Sequence, residues 1–219
     1  MLLAGLSPLS AVITSYMVVL AGHSAALITS HKDIRALPKN NLRLLIPCIA
    51  GSVIGILALN STSNETFNVI VPWLLLFTVA IFIFQPYLQL HVHRPAHMRP
   101  RVSAAIVFTA IFIASIYAGF FGLGAGLLLL TLFGFTRIKN IYQMIGLKNL
   151  AGFLIVLLAT IVFAASGKII WEYGLILAAG SIIGGYTGAK FAHCISPQIV
   201  RIMVGIIGIV VVIAAFLKF

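Results

Sequence analysis

Acidic residues are almost missing from this chain. Only Asp33, Glu65 and Glu172 occur in 219 residues, too few for the clustered acids of a membrane metalloenzyme or the carboxylate chain of a proton pump. Cysteine is equally scarce. Cys48 and Cys194 stand far apart, in or at the end of separate apolar stretches, so no disulfide framework is implied. Charged residues of either sign make up 8% of the chain against 62% hydrophobic, with a mean hydropathy of +1.18. That balance excludes a water-soluble globule. The alternation of a membrane β-barrel is also absent, since Leu127–Leu130 and Ile209–Phe216 are apolar at consecutive positions. The N-terminus lacks the basic start and cleavage site of a signal peptide, so the spans themselves are expected to drive insertion. An all-α integral membrane protein remains.

Long apolar runs are what the chain has in plenty. Hydropathy predicts seven transmembrane segments, near Leu9–Thr29, Leu42–Leu59, Phe67–Leu90, Val102–Phe121, Ile138–Ala165, Trp171–Ala192 and Ile199–Leu217, with an extra half-span from Leu123 to Gly134. The net charge of +11 does not point to nucleic acid, because the basic residues collect in short loops and read as topology signals. Lys32, Arg35, Lys39 and Arg43 in loop 31–43, and Arg94, Arg99 and Arg101 in loop 91–101, place both loops in the cytoplasm. On the same alternation Arg137 with Lys139 falls outside and Lys168 inside. The His91, His93 and His97 spacing has no cysteine or carboxylate near it. A basic loop accounts for it better than a metal site, and no cofactor is implied.

An internal repeat emerges at an offset of 129 residues, where Gly51-Ser-Val-Ile-Gly55 falls on Gly180-Ser-Ile-Ile-Gly184 and Gly5 on Gly134. It divides the chain into an N-terminal repeat (1–90, three spans), a basic linker (91–101) and a C-terminal repeat (102–219, four spans). Two parallel four-segment repeats are expected, the first lacking its first segment. Gly51 with Gly55, and Gly180, Gly184 and Gly188, read as close-packing seams between helices.

The run from Val102 to Phe135 covers about 34 residues, which as one helix would reach roughly 50 Å against a hydrocarbon core of roughly 30 Å. Gly119, Gly122, Gly124 and Gly126 supply a break. Irregular backbone at that depth survives only inside protein or against a watery cavity, and a half-helix starting near Gly124 would offer free amides and its positive dipole end to an anion. Gly122, Gly124, Ala125 and Gly126 are therefore candidate substrate-binding positions; a packing kink is the plainer alternative. Lys148 lies about ten residues into its predicted span, roughly 15 Å deep, with no acid at that depth to pair with. A permeating anion would serve as its counter-ion. A span beginning later would instead let Lys148 reach the surface. Asn149 could add a hydrogen bond. His23, Thr14 and Ser15 complete the candidate set, His23 either as a proton-coupling group or in an interhelical hydrogen bond, the two hydroxyls either facing substrate or bonding the preceding helical turn.

The signature Gly119-Phe-Phe-Gly-Leu-Gly-Ala-Gly126, Pro8 with Ala11 and Thr14-Ser15 opening a span, and the basic loop that follows resemble the TauE/SafE sulfite exporter family of bacterial membrane transporters. The resemblance covers essentially the whole chain. It implies two four-helix repeats and export of sulfite, sulfonates or related small anions. The chain departs from the family pattern in lacking the first glycine element and in reading Leu147-Lys148 where Thr-Ser is expected. No catalytic constellation is present, so a transporter for a small anionic substrate, working in the lipid bilayer, is expected rather than an enzyme. A non-transporting or truncated subunit of a transport assembly is the alternative. A homo-oligomer is compatible with the sequence.

Overall fold

The computed structural model describes residues 7–93, 103–136, 138, 140–192 and 197–218. Among them all regular structure is helical: α1 (Pro8–Thr29), α2 (His31–Arg35), a 3-10 turn (Lys39–Leu44), α3 (Leu45–Ser61), α4 (Asn64–His93), α5 (Ala104–Phe120), α6 (Ala125–Gly134), α7 (Ile141–Ala165), α8 (Trp171–Ala192) and α9 (Pro197–Lys218). Every predicted segment is recovered within three residues at each end. Local chemistry explains several boundaries. The Ser7 hydroxyl accepts the Ser10 amide with Pro8 next in line, and the Asn140 side chain accepts the Tyr142 amide. Pro8–Thr29, Lys39–Ser61, Asn64–Phe84 and Ile141–Ala165 are long and apolar enough to cross a membrane.

Helices α3 and α5 make the most intimate pair. They run in the same direction, Gly51 against Phe112 and Ser115, Gly55 against Ile116 and Phe120, and Gly119 against Ser52. A β-carbon on any of these three glycines would collide with a facing backbone carbonyl oxygen, so the seam exists only because side chains are absent there. Where the surroundings are as oily as the interior, such close approach is what holds helices together. Gly180 is different. A β-carbon there meets nothing within 4 Å, so among the described residues it forms no seam, while the side-chain surroundings of Gly184 and Gly188 lie outside the described residues.

The chain turns back at the glycine break. Beyond Gly134, Phe135 and Thr136 share a recess with Asn40, Asn41, Arg43, Leu44 and Ala104, the last of which opens α5. Helices α5 and α6 thus form a re-entrant hairpin that leaves by the face it entered. The next helix starts on that face too: Gln143 Nε2 donates to the Ala36 carbonyl at 3.0 Å. At the opposite face the Lys168 ammonium donates to the Asn60 carbonyl. This corrects the expectation that α5 crosses and that the α6–α7 connection lies opposite loop 31–43. Both connections share one face; Arg137 and Lys139 themselves, and most of loop 91–101, lie outside the described residues.

The hairpin also reverses the expected relation between the halves. The offset of 129 matches α1 with α7 and α4 with α9, and each pair is antiparallel. Tyr16 stacks on Phe163, His23 lies on Gly152 and Ser30 meets Asn149, while Trp73 meets Phe216 and Val79 meets Gly208. Matched helices therefore point opposite ways, because a hairpin adds no net crossing.

Candidate functional site

The break is a small piece of non-helical backbone at the tip of the hairpin. Gly122 and Gly124 both take φ +76°, a left-handed conformation that costs other residues roughly 1–2 kcal/mol. Unwinding strands carbonyls at the end of α5 and within the break, and two tyrosines satisfy three of them. Tyr16 Oη, buried on α1, lies 3.1 Å and 2.9 Å from the carbonyls of Ala118 and Gly119 and donates to them. Tyr117 Oη donates to the Leu123 carbonyl at 2.6 Å and sits 2.7 Å from Thr78 Oγ1 of α4. The amides divide unevenly. Those of Phe121 and Gly122 donate to the Tyr117 carbonyl, and that of Ala125 to the Gly122 carbonyl. The Gly126 amide, in the first turn of α6, finds no backbone acceptor among the described residues.

Around this tip lies a cavity of about 510 Å³. Its walls come from α1, α4, the hairpin, α7 and Val211 of α9, and they are mainly apolar. Its polar features are the break itself, Ser15, Tyr16, His23 and Lys148. A second cavity of about 520 Å³, between α4, α6 and α9, shares Gly124, Gly126 and Lys148 with the first. Lys148 therefore stands where the two meet. Its stem passes the start of α6, with Cδ 3.8 Å from where a Gly126 β-carbon would be.

Of the residues expected at a site, Gly122, Gly124, Ala125, Gly126, Lys148, Ser15 and His23 line this one cavity. Lys148 is shallower than expected: α7 starts at Ile141, which puts it seven residues in, about 10 Å along the axis. It is half-buried against α6. The Ser15 hydroxyl donates to the Val12 carbonyl at 2.7 Å, which commits its only hydrogen and leaves an acceptor toward the cavity. Thr14 and Asn149 are placed elsewhere. Buried Thr14 accepts the Ile170 amide at 3.3 Å, joining α1 to the start of α8. Asn149 Nδ2 donates to Ser30 Oγ at 2.6 Å, tying α7 to the end of α1. One helical step, about 100°, separates Asn149 from Lys148 and turns it away. Tyr16, Tyr117 and Thr78 were not expected from the sequence. The available signal was tyrosine at span depth, since a buried phenol needs a partner, and Tyr117 stands just before the glycines.

The chain matches the family described as "Sulfite exporter TauE/SafE" over residues 1–215. It is 31% identical over 218 residues to a "Probable membrane transporter protein" of Haemophilus influenzae, covering 93% of this chain and 78% of that protein. It is 25% identical to "Probable membrane transporter protein ORF9" of a Sinorhizobium species, covering 95% and 78% of the two chains. Identity to "Probable membrane transporter protein YfcA" of Escherichia coli K12 is also 25%, covering 94% and 76%. No solved structure matches the chain significantly.

Proposed function

The chain belongs to the sulfite exporter TauE/SafE family of membrane transporters, and from that premise we propose that it exports a small sulfur-containing anion, of sulfite or sulfonate type, bound at the tip of the α5–α6 hairpin. One observation carries the reading: a half-buried lysine, Lys148, passes the start of α6, where the Gly126 amide has no backbone acceptor among the described residues, in a cavity whose lining contains no carboxylate among the described residues. The helix dipole and the lysine both favour an anion there. On this reading, the two cavities that meet at Lys148 are the approaches to one alternating-access site.

If the face carrying loop 31–43 is cytoplasmic, as its basic residues suggest, an interior-negative potential favours export by roughly 2.3 kcal/mol per 100 mV for each net negative charge that leaves. The test is flux of radiolabelled methanesulfonate or sulfite from proteoliposomes holding the full chain. Lys148→Ala removes a charge-assisted hydrogen bond worth about 2 kcal/mol, so substrate affinity should fall ~30-fold at unchanged expression. Flux and affinity equal to wild type would overturn the role of Lys148. A chain that carries neither anion would support the helper-subunit alternative.

A further inference from the structure

The cavity holds a second ionisable cation-former whose orientation is fixed. His23 Nδ1 lies 3.2 Å from the Val19 carbonyl; a carbonyl only accepts, so Nδ1 keeps the hydrogen of the neutral ring and Nε2 carries the lone pair. The Cδ2–Nε2 edge rests on α7 at Gly152, where a β-carbon would come within 2.7 Å of both atoms. Gly152 thus makes room for the imidazole. It is four residues after Lys148, on the same face of α7, and both His23 and Lys148 line the cavity.

We propose that His23 is a proton site coupled to the anion site: each bound anion is accompanied by one proton on Nε2, taken from water, so that the loaded cavity holds two cationic side chains around one substrate. This rests on the anion-transport reading above. Among the described residues, the groups that line the cavity with His23 leave it no fixed partner. From α7 comes Lys148, which lines the same cavity; from α1 itself comes Tyr16, whose hydroxyl is turned to the hairpin carbonyls. Val71 and Leu75 of α4, Leu129 of α6 and Val211 of α9 are apolar. With the cavity empty, Lys148 opposes a second positive charge. A bound anion reverses that balance, and by reciprocity the proton tightens the anion.

The experiment is calorimetric titration of the detergent-purified full chain with methanesulfonate, which stays a monoanion, in buffers of differing ionisation enthalpy. Wild type should take up close to one proton per anion near pH 7.5 and close to none near pH 5, with affinity rising up to about tenfold per pH unit on acidification. His23→Gln should bind weakly without proton uptake, and His23→Lys should bind without pH dependence. Lys148-dependent binding with no proton uptake at any pH would overturn the proton site and leave the anion site standing, as would uptake that persists in His23→Gln. No binding by wild type would overturn both.

Discussion

Lys148 and the two tyrosines divide the work at the hairpin tip. Lys148 supplies charge, while Tyr16 and Tyr117 hold the backbone in the shape that frees the Gly126 amide. Tyr16→Phe keeps the ring packed on Phe163 and removes only the donor, leaving two carbonyls short of a partner. It should lower stability by about 1–2 kcal/mol and raise the KM for methanesulfonate, read by thermal melting in detergent and by flux. Asn149→Ala should cost stability of similar size by losing the bond to Ser30, yet leave KM unchanged. Lys148 and the glycines were legible because a charge or a helix breaker inside an apolar run is costly wherever the helix faces. Thr14 and Asn149 were misplaced because a short polar side chain can serve either a cavity or a neighbouring helix, and only packing decides.

Two elements, the hairpin and the α3–α5 seam, fix where that tip sits. Gly124→Ala forces an alanine to φ +76° and should destabilise by about 1–2 kcal/mol. Gly55→Ala drives a methyl into the Ile116 carbonyl and should cost about 1–3 kcal/mol, whereas Gly180→Ala, which meets open space, should be close to neutral. Melting of the three variants side by side checks the order. Loss of stability in Gly180→Ala equal to that in Gly55→Ala would contradict the seam. The sequence made the break readable through the excess length of one apolar run. It could not show that α6 returns, because hydropathy measures how much apolar chain there is and carries no direction.

For the whole molecule, the returning hairpin sets the side of everything after it. On a cysteine-free background, single cysteines replacing Asn40 and Thr136 should react with an impermeant thiol reagent from one side of the membrane, and one replacing Lys168 from the other. The same reversal makes α1 and α7, and α4 and α9, run oppositely around a cavity walled by both halves of the chain. Short repeated motifs reveal that two halves match, but their relative orientation depends on counting crossings, and a hairpin counts as none. Transport by this molecule turns on an anion resting beside Lys148 at the start of α6. Density for 2-bromoethanesulfonate in a structure of the full chain, located by the anomalous scattering of bromine, tests this most directly: the sulfonate oxygens should lie within about 3 Å of Lys148 Nζ and the Gly126 amide, and a sulfonate bound only elsewhere would contradict it.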